Sequence, residues 1–123
     1  KQSEGDQNMK SQRKRMHQQL AKGGGGAVRV KNADAVVVNP THVAVALMYD
    51  EATMDEPEII ARGIDQHARE IRRAAVKHGV PIVENVDLAR ALFQVDDEVG
   101  IPPNLFEAVA EVLQYVYSLR VEE

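Results

Sequence analysis

The sequence predicts an α/β fold, a small mixed central sheet of about four to five strands flanked by helices, with a linker helix at the N-terminus. Three observations lead there. Ala35-Val36-Val37-Val38 and Val43 to Tyr49 are uninterrupted apolar runs, and such continuity marks strands buried on both faces. Segments with helical spacing alternate with these runs further along the chain. A Gly23-Gly24-Gly25-Gly26 stretch separates a polar N-terminal segment from the rest. Neither helix nor strand tolerates such a stretch well. The reading is therefore a basic linker arm over residues 1–26 and one α/β domain over 27–123, and 123 residues suffice for one domain with a core but not two.

Taken in order, Met9 to Lys22 has good helix formers and no breaker, yet is polar almost all round. Such a helix is marginal alone. The Ala35 to Val38 run is the first strand. Asn39-Pro40-Thr41-His42 is a turn signal, and Val43 to Tyr49 is the second strand. Asp50 to Pro57 reads as an acidic loop, and Glu58 to Ala61 as a short third strand closed by Gly63. Ile64, Ala68, Ile71 and Ala75 share one helical face, and that helix stops at Gly79. Val80 to Glu84 is a fourth strand. Asp87 is the expected N-cap of a short helix ending at Phe93. Pro102-Pro103 opens the last helix, whose core side carries Leu105, Val109, Val112, Val116 and Leu119.

Composition removes several function classes. There is no cysteine, which excludes disulfide scaffolds and thiolate metal sites and fits a reducing cytosol. No apolar stretch approaches the roughly 20 residues that span a bilayer, and the first residues lack the apolar core of a signal peptide. The net charge of −4 hides an asymmetry: residues 1–31 balance to +6 and residues 32–123 to −10. A basic arm on an acidic body suits something anionic, either membrane surface or nucleic acid, with a solvated linker helix as the plainer reading. Nucleic acid is not expected, because the arm has neither stacking aromatics nor a reading motif. His17, His67 and His78 lack companions at metal-ligand spacing, so no metal is expected, and no cofactor motif is present. Arg69, Arg72, Arg73 and Lys77 form a basic stripe on the helix face opposite Ile64, Ala68 and Ile71, which reads first as a solvated face and second as a dock for an acidic partner.

The chemistry-bearing feature is Asn39-Pro40 between two buried strands. Asparagine ordinarily deamidates when the next backbone N–H attacks its side-chain amide. Proline has no N–H, so that route is closed. The reverse attack remains, in which the Asn39 side-chain nitrogen adds to the Asn39 carbonyl carbon, closes a succinimide and expels the Pro40 nitrogen. A cut within minutes needs a rate of ~10⁻³ s⁻¹, hence a barrier of about 21 kcal/mol. Positioning can supply roughly 7–11 kcal/mol, and general acid–base help about 10²–10⁴-fold. His42 is the candidate for that help, and Thr41 a candidate hydrogen-bond donor to the developing oxyanion. Asn-Pro is also an ordinary turn dipeptide, so the alternative reading is a non-cleaving α/β partner-binding module with an inert turn and a basic membrane- or nucleic-acid-facing arm. An N-terminal nucleophile hydrolase is excluded, since Pro40 rather than Thr41 would be first after the cut.

The stretch VVVNPTHVAVALMY, with Asn39, Pro40, Thr41 and His42 intact, resembles the signature of the FlhB/YscU family of type III secretion export-switch proteins. EGD at Glu4 to Asp6, GVPIVEN at Gly79 to Asn85, LARALF at Leu88 to Phe93 and IPPNLFEAVAEVLQYVY from Ile101 resemble family segments in the same order. The resemblance covers nearly the whole chain. It implies single-turnover self-cleavage between Asn39 and Pro40, not multiple-turnover enzymology, with fragments 1–39 and 40–123 staying associated. It also implies a preceding membrane domain, a place on the cytoplasmic side of the bacterial inner membrane, and a part in switching export substrates. The implied partners are other export-gate subunits, a needle- or hook-length regulator and secreted substrates. Val43 departs from the aromatic that follows the histidine in flagellar members, and the arm SQRKRMHQQL reads more like injectisome relatives. The glycine run is not a family hallmark.

Overall fold

The computed structural model describes residues 26–40 and 42–121. The arm over 1–25, including the helix expected at Met9 to Lys22, and Thr41 lie outside the described residues.

The first described element is a 3-10 turn, Ala27–Asn32, entered through Gly26 at φ 55, a left-handed conformation that suits glycine. Two strands follow, β1 Ala35–Asn39 and β2 Val43–Met48, then β3 Glu58–Ile64, α1 Asp65–His78, β4 Ile82–Glu84, α2 Val86–Phe93, a 3-10 turn Pro103–Leu105, and α3 Phe106–Val121. The strands form one sheet in the order β3-β2-β1-β4. β1 and β2 pair antiparallel from Ala35↔Leu47 to Asn39↔Val43, β2 pairs antiparallel with β3, and β4 lies parallel to β1. The mixed α/β sheet flanked by helices is the fold that the apolar runs predict.

Every residue of β1 is buried because both faces of the sheet are covered. Ala35, Val37, Val43, Val45 and Leu47 face α2 and α3, meeting Leu88, Leu92, Val109, Val112 and Val116. Val36, Val38, Ala44 and Ala46 face the other way, onto Ala68, Ile71 and Ala75 of α1 and onto Val30 of the first 3-10 turn. The period-2 alternation of side chains thus feeds two apolar layers from one strand, and each fully buried valine contributes about 1.5–3 kcal/mol.

Four expectations need correction. β3 does not close before Gly63 but runs through it to Ile64. Glycine is required there for space, since a Cβ would sit 2.5 Å from His67 Cβ. Ile64 therefore ends a strand, 45% exposed, instead of lining the helix core. The N-cap of α2 is Asn85, whose side-chain oxygen accepts from the Leu88 N–H at 3.1 Å, so Asp87 lies within the first turn. The fourth strand begins at Ile82, after Pro81. In α3, Val109, Val112 and Val116 are buried as expected, joined by Leu113, while Leu119 and, in the 3-10 turn before the helix, Leu105 are only half-buried.

Candidate functional site

Asn39 is the last residue of β1 and is 6% exposed, one of the few buried polar side chains among the described residues. β1 reaches it as a strand held from both sides: Val38 pairs with Ala44 of β2 and with Glu84 of β4, and its carbonyl accepts from the Asn85 N–H at 3.0 Å. The chain then turns through Pro40 and returns at His42, whose backbone N–H donates to the Asn39 carbonyl oxygen at 3.0 Å. That oxygen belongs to the carbonyl a cyclising Asn39 would attack. A donor fixed on it draws charge from the carbon and faces the oxygen on which negative charge would develop.

The start of α1 brackets the turn from outside. The Asp65 N–H donates to the His42 carbonyl at 2.9 Å, and the His42 Nδ1 lies 3.8 Å from Asp65 Oδ1. Both side chains are largely in solvent, 64% and 71% exposed, so their charge attraction is worth no more than about 1 kcal/mol. Asp65 has φ 48, the left-handed region in a non-glycine residue. Such a conformation persists where the surroundings determine it, and here the bond to His42 and the abrupt strand-to-helix change do so. About two turns further along α1, the Arg72 guanidinium donates from Nη1 to the Pro40 carbonyl.

The structure thus places Asn39, Pro40 and His42 in one tight turn closed by the His42 N–H on the Asn39 carbonyl. Thr41 is outside the described residues. It adds Asp65 and Arg72, which the sequence reading missed or misplaced. Arg69, Arg73 and Lys77 are exposed, but Arg72 is half-buried and leaves the stripe to reach the turn. The signal was present: Arg72 lies four residues after Ala68 and three before Ala75, both buried, which sets it on the margin of the core-facing side. Among the described residues no cluster of His, Asp or Glu is placed to hold a metal ion, and no helix is long and apolar enough to cross a membrane.

A family model described as the FlhB, HrpN, YscU, SpaS family matches residues 1–116. The chain belongs to this family. It is 44% identical over 121 residues to the flagellar biosynthetic protein FlhB of Bacillus subtilis, covering 98% of the chain and 33% of that protein. It is 47% identical over 116 residues to the hypersensitivity response secretion protein HrcU of Ralstonia nicotianae, covering 94% and 32%. The chain therefore spans about one third of the length of these FlhB-type relatives, and flagellar and hypersensitivity-response members match it about equally. Among solved structures, the cytoplasmic domain of FlhB from Shewanella putrefaciens superposes with a TM-score of 0.69 at 43% identity, covering 76% of this chain and 73% of that one. A mutated EscU C-terminal domain superposes with a TM-score of 0.68 at 30% identity, covering 73% and 91%. Solved EscU domains carry substitutions of an adjacent asparagine and proline.

Proposed function

We propose that this domain cuts its own chain once, between Asn39 and Pro40, by asparagine cyclisation. The observation that carries this reading is the scissile carbonyl itself, at the end of a strand held on both sides, with its oxygen on the His42 N–H at 3.0 Å. In the proposed step the Asn39 side-chain nitrogen forms a bond to the Asn39 carbonyl carbon, and the bond from that carbon to the Pro40 nitrogen breaks. One proton leaves the amide nitrogen and one arrives at the Pro40 nitrogen, so no outside reactant is consumed. The products are a C-terminal succinimide on fragment 1–39 and a free secondary amine on fragment 40–123. Water later opens the succinimide. Pro40 is the leaving group, His42 assists with its backbone N–H and its imidazole, and Thr41 is an assisting hydroxyl.

The biological reading follows from family membership. We infer that the domain works on the cytoplasmic side of the bacterial inner membrane, within the export gate of a type III secretion system. There it takes part in the change from early to late export substrates, with a needle- or hook-length regulator and other gate subunits as partners. The basic arm over 1–26 is read as lying against the anionic leaflet, where each Lys or Arg gains about 1 kcal/mol. The injectisome character of the arm favours that branch. Cutting changes the turn in shape and in charge, since the new amine is largely protonated at neutral pH, and the sheet beneath need not move. The readout is then a partner surface around residues 39–43.

Two measurements test the reading together. The purified domain should elute natively as one body and separate into 1–39 and 40–123 on denaturation, because β1 stays paired with β2 and β4 after the cut. In cells, Asn39→Ala should assemble the apparatus but fail to move from early to late substrates. A normal order of secretion from a chain that does not cut would show the cleavage to be incidental to switching.

A further inference from the structure

We infer that Arg72 is a positioning residue for the cut. The inference rests on the self-cleavage reading above and adds to it a side chain from α1 that the NPTH segment does not contain.

A scissile bond between two residues has two sides to hold. The acyl side, Asn39, is fixed by the sheet: its neighbours Val38 and Val43 are in register, and its carbonyl oxygen is on the His42 N–H. The leaving side is Pro40, which lies beyond the last strand pair and has no N–H with which to join a ladder. Its one backbone polar handle is the carbonyl oxygen, and the Arg72 Nη1 donates to it. The contact spans from the middle of a helix to the turn, and it is part-buried, so water competes for it less than at an open surface. α1 is itself seated by Ala68, Ile71 and Ala75 in the apolar layer beneath the sheet. The contact therefore references the leaving group to the same core that fixes the nucleophile.

Holding the Pro40 carbonyl fixes the peptide plane that follows the ring, and with it the ring's orientation about the scissile bond. Attack requires that the nitrogen of Asn39 approach its own carbonyl carbon while the Pro40 nitrogen turns out of conjugation with that carbonyl. A leaving group tethered through its carbonyl is kept from swinging away with the turn, so the approach geometry is sampled more often. Positioning of this kind is sensitive: a misplacement of about 1 Å can cost 10²-fold in rate. The guanidinium is planar, permanently charged and donates in a fixed fork, so a lysine can supply the charge at this place but not the same geometry.

The test compares the rate at which fragments 1–39 and 40–123 appear by intact mass at neutral pH, following synthesis or refolding of the whole chain. Arg72→Ala and Arg72→Gln are expected to cut about 10- to 100-fold more slowly, Arg72→Lys at an intermediate rate, and Arg73→Ala, which alters an exposed neighbour on the same helix, at the rate of the unaltered chain. Thermal unfolding is measured in the non-cutting Asn39→Ala background, where Arg72→Gln should leave the midpoint nearly where it was. In that background a ¹³C label on the Pro40 carbonyl should shift with Arg72→Gln and not with Arg73→Ala. Wild-type cutting with Arg72→Ala at the same rate overturns this inference while leaving self-cleavage standing. A slow Arg72→Gln whose unfolding midpoint collapses and whose Pro40 resonance is unmoved also overturns it, in favour of a purely structural arginine. If the unaltered chain itself persists as a single mass, the self-cleavage reading fails and takes this one with it.

Discussion

The proposed attack of Asn39 on its own carbonyl would be a matter of torsion, not of diffusion, so what the protein must provide is restraint. Asn39→Ala removes the nucleophile and should abolish the cut with the fold intact, as judged by intact mass and far-UV dichroism. Asn39→Asp should cut much more slowly near pH 7, where an ordinary aspartate, with a pKa of about 3.9, is ionised and has no proton to pass to the departing Pro40 nitrogen. Equal rates for the two would remove the succinimide route. His42→Ala should slow the reaction yet leave it measurable, because the N–H that meets the Asn39 oxygen at 3.0 Å belongs to the backbone; loss of all cutting in that variant would assign the work to the imidazole instead. The adjacency of Asn39 and Pro40 was legible at once, since it is written in consecutive letters. The scissile oxygen's donor was not. Thr41, the expected side-chain donor, lies outside the described residues, and the donor that is described is the backbone N–H of the residue after it, a fact of backbone geometry that side-chain chemistry does not announce.

At the scale of elements, the junction of β3 and α1 organises the site. Gly63 lets the helix begin directly beneath the strand, since a Cβ at that position would meet His67 Cβ at 2.5 Å and its backbone carbon at 3.0 Å. Neither atom is the far end of a flexible side chain. Gly63→Ala should therefore destabilise the fold by about 1–3 kcal/mol, measured by urea unfolding in the Asn39→Ala background. In the cutting chain it should also slow fragment release, because the displaced helix carries Asp65 and Arg72. An unaffected rate with the expected stability loss would separate packing from positioning. The sequence signalled the strands and the long helices well, as their apolar runs and stripes are local properties. It misplaced the start of α1 by treating Gly63 as a terminator and Ile64 as a core residue, since a glycine needed for close approach looks the same in sequence as one needed for a turn. Likewise Asp87 and Asn85 are both good capping residues, and only the position of the strand before them decides which one caps. Asn85 is fixed there by its N–H on the Val38 carbonyl.

Across the whole molecule, two apolar layers cover β1 from both faces, and neither layer is built on the bond between Asn39 and Pro40. The layer under α3 has a polar seam where the Tyr117 hydroxyl meets the Tyr49 carbonyl. Burial first, then the charge of Asp34, pushes the Tyr117 phenol above its ordinary value of 10.0. The unfolded chain thus ionises this tyrosine at lower pH than the folded one. Folding stability should be unaffected below about pH 10 and fall as pH rises beyond it; Tyr117→Phe should flatten that decline in a urea-unfolding series, and an unchanged slope would contradict the assignment. The charge asymmetry between arm and body was legible from composition, while the seating of the turn against a distant helix required the fold. The most direct measurement of the central claim is a mass balance on freshly cut chain, quenched in acid and separated under denaturing conditions. Cyclisation adds no water, so the earliest fragments 1–39 and 40–123 should together weigh what the uncut chain weighs, with the missing water gained later as the succinimide opens. A chain that stays whole, or a fragment 1–39 that carries the added water from its first appearance, would contradict it.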